Sequence, residues 1–232
     1  MSTPSHTTSA IVRDIERVSP ALVEAAARFQ AAILADVAGR RGTLNGRVKP
    51  LAPTMKVVGP AVTVEVRPGD NLAIHAALAV AKPGDVIVVD GKGDQSCALI
   101  GEIMATQAQA TGIAGFVIDG AVRDSHELAH GTFPIFSAGL NPCGPTKSVA
   151  GRVNLPVSAA GATVHPGDLV VGDADGVVVI PRADVERILV LAQKKVDAEA
   201  ARIAAIRKGD THPGWLDKEL RAAGMLAEGE AL

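Results

Sequence analysis

Arg123 and Asp124 stand side by side in "GFVIDGAVRDSHEL", residues 115–128, where an apolar, strand-like run stops at Asp119. An arginine presents a planar fork of donors suited to a carboxylate, and an aspartate offers hard oxygen suited to a divalent cation. Together they could grip opposite ends of one anionic, metal-chelating group; a local ion pair capping a short helix is the alternative. Glu102 follows Gly101 at a helix start, where exposed N–H groups favour a carboxylate. The amides of Ile103 and Met104 could equally hold a ligand's carboxylate there. His75 lies inside the alanine-rich "NLAIHAALAVA", residues 71–81, either as a satisfied core residue or as a catalyst.

Glu199 interrupts an apolar stripe. Val185, Ile188, Ala192, Val196, Ile203 and Ile206 advance by threes and fours, and Glu199 takes the next step of the same face. A buried carboxylate is costly, so this one should meet a partner, a cavity or a subunit boundary, unless Arg202 on its own helix pairs with it. The glycines of "GKGDQ", at 91 and 93, could admit a small anion or simply make a tight turn. That loop lacks the endings and spacing of a P-loop or dinucleotide fingerprint, so neither ATP nor NAD is indicated.

These residues must be positioned by an α/β domain. Ser19-Pro20 starts an amphipathic helix in which Leu22, Ala26, Phe29, Ile33 and Val37 share a face, with Gly39 as its stop. A β-branched segment over residues 57–66 is broken by Gly59-Pro60, "RPGDN" turns and caps, and residues 71–81 are helical. "VIVVD" (86–90) and "IAGFVID" (113–119) read as strands covered on both faces, joined by a helix that includes "GEIMATQAQATG" in a βαβ crossover. A short helix over 121–130 and a strand at 134–138 follow, then a small antiparallel β layer to about residue 180. A long helix from Ala183 to about Arg207 and a short terminal helix complete one domain, with disorder expected at the ends, about residues 1–10 first. Ligands in open α/β sheets collect beyond the strands' carboxyl ends, which places the expected pocket between Asp90 and Asp119.

Composition narrows the class. Hydrophobic residues at 47% and charged residues at 21% describe a globular chain, and 23 basic against 25 acidic residues leave a net charge of −2. That balance, with four Phe, one Trp and no Tyr, argues against a nucleic-acid ligand. Residues 1–9 do not read as a secretory signal and no apolar run is long enough for a membrane span, so a cytoplasmic protein is expected. Cys97 and Cys143 lie far apart without C-x-x-C spacing and read as ordinary thiols.

Taken in order, "GDNLAIHAAL", "GDVIVVD", the "GE" at 101–102, "GIAGFVIDGAVRD", "NPCGPTK" and "PGDLVVGDADGVVVIP" resemble the RraA-like family from about residue 20 to 185. "DGAVRD" downstream of "GE" is the most specific mark. Two branches of that family matter: metal-dependent class II pyruvate aldolases, and the non-catalytic RNase E inhibitor RraA. The helix bearing Glu199 and the "GDTHPGWLDKELRAAGM" tail favour the aldolases, which cleave 4-hydroxy-4-methyl-2-oxoglutarate and 4-carboxy-4-hydroxy-2-oxoadipate in aromatic degradation and decarboxylate oxaloacetate. The resemblance implies a swivelling β/β/α-type core, assembled as a trimer or hexamer with sites at subunit interfaces. It implies that Asp124 ligates Mg²⁺ or Mn²⁺, that Glu102 holds a metal-bound water, and that Glu199 reaches that water from a neighbouring chain. Arg123, Gly101 and the amides of Ile103 and Met104 would grip the pyruvyl group, with His75 tuning the proton relay. Where the best-known members carry aspartate, this chain has Glu102.

Overall fold

A computed structural model describes residues 10–230 and residue 232; the expected disorder of the first nine residues lies outside them. Ser19 caps α1 (Pro20–Ala26), its hydroxyl accepting from Leu22 N at 3.4 Å. The single helix expected to reach Gly39 is in fact two. The chain turns at Phe29, and α2 (Ala31–Val37) restarts with the Ala31 amide donated to the Asp173 carboxylate at 2.8 Å. A cap supplied from 142 positions away leaves no local sign, so hydrophobic period alone runs the two helices together.

Between β1 (Lys49–Pro50) and β3 (Val86–Asp90) lie β2 (Val57–Glu65) and α3 (Leu72–Val80). The break expected at Gly59-Pro60 does not occur. Gly59 fits because a Cβ there would collide with Gly84 O. The N–H that Pro60 lacks falls on the side where pairing with β3 starts one residue later, at Ala61 opposite Val86, so no ladder bond is lost. A three-residue strand, β4 (Ala98–Ile100), which the sequence did not reveal, precedes α4 (Glu102–Ala110). β5 (Gly115–Val122) then runs three residues past Asp119, so the short helix expected from 121 begins later, as α5 (Ser125–His130). β6 (Ile135–Leu140) follows.

The later strands are β7 (Arg152–Val153), β8 (Val157–Ala159), β9 (Ala162–Val164), β10 (Leu169–Asp173) and β11 (Gly176–Ile180). The β8–β9 pair stands apart as an antiparallel ribbon, whereas β10 and β11 join the main sheet rather than a separate layer. That sheet runs β1-β6-β5-β3-β2-β10-β11, parallel from β6 to β2 and antiparallel beyond, with β4 on β5 and β7 on β2. Helix α6 (Val185–Arg207) and α7 (Leu216–Ala222) end the chain. One compact unit runs to Ala192 and a second is formed from Gln193 onward.

The parallel strands are buried on both faces, as an unbroken apolar run demands. Ile87, Val89, Phe116 and Ile118 face one core with Ile74, Ala77, Met104 and Leu128 of the helices. Val86, Val88 and Val117 face the other, against Val157, Ala162 and Val164 of the ribbon and Val170 and Val177. This α/β arrangement is the expected class.

Because the Asp173 carboxylate caps α2 across the fold, Asp173→Ala should lower the unfolding free energy by about 1 kcal/mol. The reading is a reduced urea midpoint at unchanged slope; an unmoved midpoint would count against the cap.

Candidate functional site

The bulge of β5, where its register with β6 shifts between Ile118 and Ala121, delivers Arg123 and Asp124 just beyond the strand end. Asp124 sits in the left-handed region, φ 57° and ψ 37°, a conformation that aspartate tolerates better than most residues. It stands at the cap position of α5 yet makes no side-chain cap to that helix. Instead its Oδ2 accepts the Glu102 N–H at 2.9 Å, at the first turn of α4. The expected local cap is therefore replaced by a bond to a different helix. Gly101 makes room for it: a Cβ there would collide with that carboxylate oxygen and lie 3.0 Å from Arg123 Cγ.

Arg123 is fixed from its backbone outward. Its N–H donates to Ile100 O at 3.1 Å, and Nε stands 3.7 Å from Asp124 Oδ2, a loose pair with about two-fifths of each side chain exposed. The guanidinium lies against residues 141–147, since a Cβ on Gly144 would come within 2.9 Å of a terminal nitrogen. Asp124 Oδ1 has no partner among the described residues. The first-turn amides of Ile103 and Met104 likewise donate to no described acceptor, as helix geometry requires at an N-terminus.

A cavity of about 110 Å³ opens beside these groups, lined by Asn71, His75, Gly101, Ile103, Arg123 and Lys147 among others. Asn71, at the cap position of α3, and His75, within its first turn, bring two buried side-chain atoms without partners, Oδ1 and Nε2. The Asn71 amide is oriented by its Nδ2, which donates to Leu99 O at 2.8 Å. Burial, and then the charge of Lys147, lower the His75 pKa and favour the neutral ring. A larger cleft of about 540 Å³ lies by Arg40, Arg41 and Arg187, but Asn71 and His75, each with an orphaned buried polar atom, line the smaller one.

The loop that brings Lys147 is held by Asp70. Its carboxylate is buried, which by itself would raise its pKa, but it accepts from Ser148 N, Thr146 Oγ1, Leu72 N and Val149 N and is held at about 2. Sequence reading missed Asn71, Lys147 and this role of Asp70. The i, i+4 spacing of Asn71 and His75 was the available signal.

The pocket does not form between Asp90 and Asp119. Those residues are register partners, but both are consumed: Asp119 by Arg47 at 2.7 Å and the Ala160 amide at 2.7 Å, Asp90 by Lys92 at 2.6 Å. The glycine loop is a tight turn, with Lys92 and Gly93 at positive φ and the Gly93 N–H on Asp119 O. Glu199 is exposed and pairs with Lys195 one turn back at 2.8 Å, while Arg202 pairs with Asp210. Further along α6, Ile203 and Ile206 of the apolar stripe are exposed. Among the described residues no three His, Cys, Asp or Glu converge on one metal position. No helix among them is long and apolar enough to cross a membrane.

Comparison with known proteins finds a family match, named relatives and similar solved structures. The RraA-like family model, described as Aldolase/RraA, matches residues 10–179. A Halalkalibacterium halodurans protein provisionally named 4-hydroxy-4-methyl-2-oxoglutarate aldolase is 47% identical over 163 residues, 70% of this chain and 78% of its own. Among solved structures, RraAS2 of Streptomyces coelicolor, titled an unusual member of the RNase ES inhibitor RraA family, superposes with a TM-score of 0.74 at 30% identity, covering 82% of this chain and 98% of its own. The RNA-processing inhibitor RraA of Thermus thermophilis gives 0.60 at 29% identity, covering 66% and 92%.

The Asp70 carboxylate titrates at about 2 in the fold against an ordinary 3.8, so its stabilisation is complete above the ordinary value and is lost as pH falls through the lower one. Urea midpoints of the wild type and Asp70→Asn should therefore differ most at about pH 7 and converge towards about pH 2. A gap independent of pH would contradict the assignment.

Proposed function

The chain belongs to the RraA-like family, and from that premise we propose that it is a divalent-metal-dependent aldolase of 4-hydroxy-2-oxo acids. Its substrates in this reading are 4-hydroxy-4-methyl-2-oxoglutarate and 4-carboxy-4-hydroxy-2-oxoadipate, cleaved to pyruvate plus pyruvate or oxaloacetate, with oxaloacetate decarboxylated at the same site. The observation that carries it is one small cavity lined by Arg123 and by Ile103 and Met104, whose amides are free, with Asp124 next to Arg123 and bonded to the first turn of the same helix through one oxygen only.

The donor set suits Mg²⁺ or Mn²⁺. Asp124 offers one unshared carboxylate oxygen, its other oxygen being fixed on the Glu102 N–H where Gly101 leaves room for it. A single protein carboxylate is enough for a cation that keeps waters and takes oxygens from its substrate. When bound, such an ion supplies Lewis acidity to the 2-oxo acid.

The chain's own residues do the rest. The amides of Ile103 and Met104, at the positive end of α4, receive the pyruvyl carboxylate. Breaking C3–C4 leaves an electron pair on C3 that spreads into the 2-oxo group, and the Arg123 fork stabilises the charge growing on that oxygen. Arg123 also polarises the C4 hydroxyl as the leaving carbonyl forms. Glu102, with Glu199 offered from a neighbouring subunit of a trimer or hexamer, orients the water that takes the C4 hydroxyl proton as the carbonyl forms and then returns a proton to C3. Neutral His75, with Nε2 uncommitted, relays that proton. Decarboxylation of oxaloacetate leaves the same electron pair on the same carbon, so one site serves both reactions.

The likeness to solved RraA structures supports a second reading, a regulator that binds RNase E without turnover. The same assay separates the two. Pyruvate release from oxaloacetate should depend on added Mg²⁺, stop with EDTA and resume on restoring the ion; full activity in metal-stripped protein would sink the aldolase mechanism, and none under any condition would favour the regulator. Arg123→Lys keeps the charge and loses the fork, so kcat/KM should fall by about 10²-fold or more, whereas near-normal kinetics would remove Arg123 from its role.

A further inference from the structure

The two cysteines, 46 positions apart, bring their sulfurs to 3.1 Å in hydrogen-bonding contact. Cys97 precedes β4, and Cys143 lies in the loop after β6. Their backbones are tied as well, Ala98 N donating to Cys143 O at 2.8 Å. Cys143 is exposed and its own amide is turned onto Asn141 Oδ1 at 2.8 Å, while Cys97 is half-buried behind it. The hydrogen bond to Cys143 is the chief cause of a raised Cys97 pKa, and Cys143 is the more exposed of the two.

We propose that Cys97 and Cys143 are a redox modification site, closed by a hydroperoxide to an intrachain disulfide that shifts the loop of residues 141–147 against Arg123. Cys143, as thiolate, attacks the peroxide O–O bond and becomes a sulfenic acid, releasing water. The Cys97 sulfur then displaces the sulfenic oxygen as a second water and forms the S–S bond. Two thiol hydrogens and one hydrogen peroxide become two waters, and the sulfurs together lose two electrons. A reducing dithiol reverses the change by thiol–disulfide exchange.

The consequence follows from distance. A disulfide holds its sulfurs at about 2.05 Å, so closure draws the two together by about 1 Å. Cys143 adjoins Gly144, whose backbone is already close enough to the Arg123 guanidinium that a Cβ would stand 2.9 Å from it. A shift of that size transmitted to a substrate-gripping group is worth about 10- to 100-fold in rate. This last step rests on the aldolase reading; the bond itself does not.

The test uses the full chain, titrated with hydrogen peroxide, alkylated, and mapped by mass spectrometry without reductant. The expected product is a monomer lacking two hydrogens, with a peptide linking Cys97 to Cys143 that dithiothreitol dissolves. Unreacted thiols, sulfinic acid at either position or a disulfide-linked dimer would overturn the site. Oxaloacetate decarboxylation should fall by about 10- to 100-fold on closure and recover on reduction. Cys97→Ser and Cys143→Ser, each checked for folding by circular dichroism, should keep the starting rate and lose the peroxide response; a linked wild type working at full rate would overturn the coupling. Should the reduced protein release no pyruvate, the aldolase reading fails separately. Slowed amide exchange over residues 141–147 on closure then decides whether the loop is shifted.

Discussion

The Glu102 N–H and the Asp124 carboxylate meet at 2.9 Å, and the site is organised around that contact. It joins the first turn of one helix to the residue just past a buried strand, and so sets the amides of Ile103 and Met104 beside Arg123. Three local peculiarities serve it. Asp124 takes a left-handed backbone, α5 forgoes its side-chain cap, and Gly101 forgoes a Cβ. Each costs something by itself; together they leave one carboxylate oxygen committed to positioning and the other uncommitted. A carboxylate with both oxygens satisfied would be a structural element, and one with neither would be mobile.

The same logic explains why chemistry is assigned to Asp124 rather than to the other aspartates of the strand ends. Asp119 gives one oxygen to Arg47 and the other to an amide, Asp85 gives both to Arg17 and one again to the Lys82 amide, and Asp70 is surrounded by neutral donors. Buried carboxylates must be met in this way, because an unpaired buried charge is too costly to keep. Asp124 escapes the requirement by lying partly in solvent. Its exposure keeps an unpaired oxygen tolerable and leaves it open to a ligand.

Much of this was legible in the chain because it is written locally. The apolar runs of β3 and β5, the helix start at Glu102 and the Arg123-Asp124 pair at a strand end are all nearest-neighbour patterns. What stayed hidden depends on distant partners. The break between α1 and α2 is made by Asp173, the continuity of β2 through Gly59-Pro60 depends on Gly84 and the late start of β3, and β10–β11 enter the main sheet through β2. Asp119 was expected beside a pocket because strand ends attract ligands, yet a cation 72 positions away had claimed it. Cys97 and Cys143 looked unrelated for the same reason.

The finishing of β5 has a temporal side. Its Asp119 is neutralised by Arg47, from before the first parallel strand, and by the amide of Ala160, 41 positions further on. Three segments spread over more than a hundred residues must therefore assemble before the strand end becomes rigid, and contacts of such sequence separation form late because loop closure precedes their reward. A nascent chain that has emerged only through Asp124 holds Asn71, His75, Glu102, Ile103, Met104, Arg123 and Asp124, and still lacks the scaffold that would hold them in place. Competence in this molecule thus arrives with the ribbon, not with the reactive side chains.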